Sequence, residues 1–432
     1  MKYYKYIKYL LFFLICIILF GYNDADIVWN YGVAHALRIG EIPYKDFNSI
    51  TTPLYPMIMS LGLYISDTYL TYIIEQSLLC TLFMFLLEKY LKDNYIIMIP
   101  LICFPIFMFI FPNYNFLIMI IIILLLLFEE DKKTDWQIGL LLGLMFITKH
   151  TIGIVFIFFS IISTLNIKRG FKRFIYSLIP IIVFFIYLII TKSLSSFINL
   201  SILGLFDFGK NNKSVLVVLA LLSLLCFIYT IYSFFKYKND YKNYYLLAAI
   251  SLIIPMIDFM HTTYYLIVVI VVLLSRSNIK YQNKQLLIPI ISITITIFIL
   301  NVMNHYDYYK NVEFNNLERF KLYLLDKEGN EYVNTVLKKY KKYKNSHMFS
   351  MESMFFDIES GKKITYFGVP LYGNFGYDGI NNMKKKISEM HNHYIFICDN
   401  DNPQFPNEIN DYIRKNGTLV EKFENYEIYK IK

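Results

Sequence analysis

The 432-residue chain is 56% hydrophobic and only 17% charged, whereas soluble domains carry roughly 25% charged residues. Runs such as YIKYLLFFLICIILFGY and NFLIMIIIILLLLF point to bilayer crossing, which takes about 20 apolar residues, and the alternation of a β-barrel is missing. The net charge of +9 sits largely in short loops, where it reports orientation rather than nucleic-acid binding.

Lys2, Lys5 and Lys8 precede the first apolar run. The pattern is like a signal peptide, but no small-x-small cleavage site follows, so the run reads as an uncleaved first helix. Apolar segments then fall at 7–22, 53–66, 69–90, 95–111, 114–128, 136–148, 150–167, 174–191, 214–235, 244–259, 262–274 and 286–302. The basic groups Lys2/Lys5/Lys8, KRGFKR (168–173), KYKNDYK (236–242) and RSNIKYQNK (276–284) mark the inner face. Counting back from them puts 23–52, 191–213 and the turn at 259–262 outside, with the tail. An inner N-terminus and an outer tail require an odd number of crossings. The segment PLYPMIMSLGLYIS (53–66) is short and Pro-bearing, so it is the one expected not to span. The expectation is an all-α polytopic membrane domain of about 11 to 13 helices, in a multi-pass protein of the cell membrane. A small extracytoplasmic α/β domain follows.

The tail, 305–432, is rich in Lys, Asn, Asp and Glu and has no spanning segment. ERFKLYLLDKEGNEYVNTVLKKYKKYK reads as helix. KITYFGV, HYIFICD, TLVEKF and YEIYKI read as strands. NPQFPNEINDYIRKNG reads as a loop and a short helix ended by Gly417. The cysteines show neither a disulfide framework nor metal-ligand spacing. YGNFGYDG (372–379) fits neither a P-loop nor an EF-hand and reads as a structural turn, as does CDNDNP (398–403).

Chemistry concentrates in the first outer loop. IVWNYGVAHALRIG places Trp29, Val33, Ala36 and Leu37 on one helical face, expected to lie in the membrane interface, with Gly40 as its stop. Asp26 fits a helix cap. Asp24 and Asp26 together could instead hold a divalent cation or supply a general base. Further along, Lys149 and His150 lie between two apolar segments. A lysine at membrane depth is by default functional, against the plainer reading of a side chain snorkelling to the headgroups. Asp258 and His261 sit at i, i+3 near an outer turn, fit to orient a phosphate or acceptor group or to form a local helix-end pair. His305 and Asp307 read as linker residues.

The order Asp-x-Asp, an Ala-bearing helix, RIGEIPYKDF and TTPLYP resembles the first external loop of the C-type glycosyltransferase superfamily. Closest are its bacterial members similar to dolichyl-phosphate-mannose protein mannosyltransferases. GLMFITKHTIG (143–153) resembles the Lys-bearing turn these enzymes place near the lipid phosphate. The resemblance covers most of the chain. It implies a transmembrane glycosyltransferase domain over 1–304, with the outer loop 23–52, and a soluble outer domain over 305–432. It implies transfer of a sugar from a polyprenyl-phosphate donor to a glycan, lipid or protein acceptor outside, with inversion if one carboxylate drives a direct displacement. Asp26, eight residues before Ala34 as in the family, corresponds to the catalytic aspartate, with Asp24 the second choice. Lys149, His150 and His261 would hold the donor phosphate, and Arg38, Asp46 and Asp258 would meet substrate. Asn113 and Asn115 stand where the family often has a second acidic residue, which weakens a metal role relative to the base role. The competing classes are a transporter or flippase for lipid-linked oligosaccharides, which would favour internal repeats, and a polymerase.

Overall fold

The computed structural model describes residues 4–19, 25–91, 113–129, 134–211, 217–254, 257, 259–276, 310–313, 315–321, 323 and 325–432. Asp24, Asp258, His305, Asp307 and the expected apolar segments 95–111 and 286–302 therefore lie outside the described residues, wholly or nearly so. Among the described residues three helices, Tyr69–Leu91, Ile167–Ile190 and Val217–Lys236, are long and apolar enough to cross a membrane. The other apolar helices are shorter. The stretch at 53–66 forms only Leu54–Leu63, a helix of 10 residues, about 15 Å long and half the depth of a bilayer core. The stretch at 244–259 yields Tyr241–Ala249 and a 3-10 turn, Ile250–Leu252.

The chain packs as two compact units. The first comprises residues 1–20, 73–185 and 214–310. Its helix Tyr114–Phe128 is buried on nearly every side, as an all-apolar helix must be. Helices Asp135–Thr148 and His150–Ser163 form a hairpin around the extended Lys149. Gly153 lets them approach, since a Cβ there would collide with the backbone of Phe146. Helix ends in this unit are tied by ions. Lys8 pairs with Glu88 at 2.6 Å. Arg173, fully buried, grips Glu129 at 2.6 Å and Asp135 at 2.9 Å, and Arg169 adds a second bond to Asp135 at 2.7 Å. Arg276 reaches Asp240 at 2.7 Å.

The second unit comprises 21–72, 186–213 and 311–432, so the first loop, grouped with 1–304 in the sequence, packs with the tail. Strands β1 (Ser346–Phe349), β2 (Tyr394–Ile397), β3 (Gly417–Phe423) and β4 (Tyr426–Ile431) form a sheet of order β1-β2-β4-β3. β1 runs parallel to β2; β4 is antiparallel to both β2 and β3. Helices Gly379–Ser388 and Asn407–Asn416 cover one face through Met383, Ile387, Ile409 and Ile413. Gly417 ends the second of them as expected. The expected strand KITYFGV is a correction: 362–370 is a loop. The Ser353 hydroxyl donates to the carbonyls of Phe367 and Gly368, so these groups find a partner without a strand neighbour. The strand that forms instead, SHMF, has no clear alternation to announce it.

Candidate functional site

The first loop begins with helix Ala25–Arg38, which carries Asp26 in its first turn. Asp26 is exposed, and its backbone carbonyl accepts a bond from the Asn30 amide at 2.7 Å. The helix ends as the sequence requires. Gly40 has φ +88°, its N–H donates to Leu37 O, and Glu41 N–H reaches back to Ala36 O at 2.9 Å, the paired bonds of a Schellman cap. The expectation that this helix rests on the membrane is corrected. Trp29 and Ala36 are buried in protein together with Ile27, Val28, Tyr31, Ala34 and His35. Gly32 is pressed so closely by Met354 that a Cβ would clash.

A buried carboxylate the sequence did not single out organises this region. Asp67, 8% exposed, takes His35 Nδ1 at 2.8 Å, Arg38 Nη1 at 2.8 Å and Arg319 Nη1. Burial pushes its carboxyl up, but the His35 hydrogen bond and the charges of His35, Arg319 and Arg38 outweigh burial and hold it below the usual range. Arg38, expected to meet substrate, spends its fork on Asp67 and on the Leu63 carbonyl at 3.1 Å. The backbone around Arg319 is fixed as well. Glu359 accepts the N–H groups of Glu318, Arg319 and Phe320, and Arg319 O caps helix Tyr69–Leu91 by accepting Tyr69 N–H at 2.8 Å. Tyr31, Tyr69 and Phe320 pack edge-on or tilted beside this cluster.

Just past the helix, Glu41 is 4% exposed, and among the described residues neither carboxylate oxygen has a hydrogen-bond partner. Burial pushes it up to about 7, against the pull of Lys363 and with the push of Asp46. Asp46 itself is exposed and closes the turn by accepting Ile42 N–H at 2.8 Å. Nearby in charge, buried Asp357 is raised to about 7 by burial, against a 2.6 Å bond from Tyr340 OH and the charge of Lys362. Lys362 is lowered to about 8 by burial, and its ammonium lies over the Tyr340 ring. A glutamate directly after a helix-ending glycine was the only cue to Glu41.

In the other unit, Lys149 is the single extended residue between two helices. Its ammonium lies 3.2 Å from Asn115 Oδ1, 3.5 Å from His261 Nε2 and 5.1 Å from the centre of the Tyr114 ring. The structure thus brings together Lys149 and His261, as expected. It adds Asn115, one of the two asparagines standing where an acid was looked for. Asn113 caps helix Tyr114–Phe128 through a 2.8 Å bond to Asn115 N–H. His150 is buried beside Phe146 at a ring distance of 6.3 Å. Among the described residues no group of three or more His, Cys, Asp or Glu side chains could hold a metal ion. In comparison with known proteins, the chain matches no family model, no curated protein and no solved structure.

Proposed function

We propose that the chain is a membrane glycosyltransferase that moves a sugar from a polyprenyl-phosphate donor to an acceptor hydroxyl on the outer face. The Lys149–His261–Asn115 cluster carries this reading. An ammonium held at an apolar helix turn, with an imidazole and an amide against it, suits the diester phosphate of a lipid-linked sugar. Lysine acts there as a point charge. In the step, an Asp26 oxygen takes the proton of the acceptor hydroxyl. The hydroxyl oxygen bonds to the anomeric carbon while the bond from that carbon to phosphate oxygen breaks. The electron pair leaves with polyprenyl phosphate, whose charge Lys149 offsets. One displacement inverts the anomeric centre. Asp24 is the alternative base.

Pairings within each unit support the orientation this reaction needs. Every ion pair described in the first unit joins ends that the basic loops assign to the inner face: Lys8 with Glu88, Arg169 and Arg173 with Glu129 and Asp135, Arg276 with Asp240. Lys149, Asn115 and His261 all belong to ends assigned to the outer face. The second unit gathers 23–52, 191–213 and the tail, segments likewise assigned outside, together with 53–72 and 186–190 from the neighbouring apolar segments. The test is Lys149→Ala in membranes supplied with donor lipid. The expected result is a higher donor KM with the protein still folded; an unchanged donor dependence refutes the phosphate role.

A further inference from the structure

The segment Leu194–Asp207 is an apolar helix with a wide π turn, Ile198–Leu203. Its inward residues, Phe197, Leu200, Ser201 and Gly204, recur at helical spacing and are buried. Phe197 packs edge-on to Tyr44 at 5.2 Å. Ser201 donates to Ser49 O at 3.2 Å. The same helix holds the Gly-rich loop: Asn199 Oδ1 accepts Tyr377 N–H at 2.8 Å, and Asp207 Oδ2 accepts Asp378 N–H at 3.0 Å. At Gly204 a Cβ would stand 2.9 Å from Gly373 O, so glycine is what permits the approach.

The outward face is the anomaly. Ile198, Ile202, Leu203 and Phe206 are 40%, 40%, 39% and 64% exposed, at i, i+4, i+5 and i+8. A helix apolar on both faces needs a nonpolar medium on each, and proteins rarely leave such a stripe in water. What covers it follows from continuity. Ile186, Ile189 and Ile190, 49%, 61% and 74% exposed, end the candidate span Ile167–Ile190 and run through Thr191–Ser193 into this helix. The next candidate span opens at Val217. Exposed Lys192 stands between the two apolar stripes, where a lysine reaches for headgroups.

We propose that Leu194–Asp207 lies in the plane of the membrane interface, with Ile198, Ile202, Leu203 and Phe206 against lipid. Its other face carries the first loop at Tyr44–Ser49 and the Gly-rich loop at 373–378. Half-exposed Tyr377 then sits at headgroup level, where tyrosine concentrates. The helix sets the depth of both loops. This rests on the chain's crossing a membrane and not on the reaction proposed above.

The test uses the full chain in vesicles of dibrominated phosphatidylcholine, with Phe206→Trp and Ile202→Trp made separately. Both positions are exposed, so neither indole is forced into a core. The emission each variant adds to the parent is expected to be largely lost in brominated vesicles and spared by iodide. Asp411→Trp, on an exposed position of the tail, is expected to show the reverse. Iodide quenching of the added emission without bromolipid quenching overturns the proposal. So does protection from both quenchers, which would mean that protein covers the stripe. Neither readout depends on sugar transfer.

Discussion

Replacing Asp67 with Asn removes the charge on which His35, Arg38 and Arg319 converge, while keeping the side-chain shape. Removing one partner of a buried ion pair costs about 3–5 kcal/mol. Here Arg38 and Arg319 are 30% and 31% exposed, so water takes up part of their charge and the loss falls to about 2–4 kcal/mol. The unit holding them has roughly 200 residues, a size at which 1 kcal/mol moves Tm by about 2–4 °C. We predict a Tm lower by about 5–15 °C, read by scanning fluorimetry of the detergent-solubilised chain, with faster proteolysis around 318–320. The sign in pH follows from the depressed carboxyl. Its stabilisation is fully present above the unfolded value near 3.9 and is lost as pH falls through the lower folded value. The Asn variant therefore differs from the parent at neutral pH and converges on it in strong acid. A shift under about 2 °C at pH 7 would refute the claim that Asp67 ties the loop to the tail.

Glu41→Gln is expected to act in the opposite sense. Because the folded carboxyl is raised to about 7, the parent loses stability as pH climbs from about 4.5 to 7, by up to about 3 kcal/mol. The Gln variant should match the parent at pH 4.5 and melt higher at pH 8; equal melting at both values would sink the assignment. Asp26→Asn should abolish transfer by removing the proton acceptor, with expression and Tm unchanged because Asp26 is exposed; full activity in that variant would remove Asp26 from the step and leave Asp24 to be tried.

Local features of the fold were legible because their causes are local. Gly40 and Gly417 end helices where they stand, the first in a left-handed conformation that glycine adopts without strain. The segment 53–66 is too short to span. Loop charges put Lys149 and His261 on one side, and the resemblance gives both to the donor phosphate; the structure sets them 3.5 Å apart. What the sequence hid depends on distant partners. Asp67 and Arg319 are 252 positions apart, and neither has a local pattern that announces the other. The face of Trp29, Val33, Ala36 and Leu37 reads as lipid-facing because an apolar stripe looks the same whether lipid or protein covers it; protein buries Trp29 and Ala36, and Met354 presses on Gly32 of the same helix. KITYFGV has strand-like residues, yet the Ser353 hydroxyl takes carbonyls that a strand neighbour would have used.

The most direct test of the central claim is donor turnover. Membranes containing the chain are incubated with a panel of labelled polyprenyl-phosphate sugars, and release of polyprenyl phosphate is followed beside Asp26→Asn membranes. The account predicts that at least one donor is consumed by the parent and not by the variant, with the sugar recovered in inverted linkage. Equal consumption by parent and variant, or none across the panel, would contradict it.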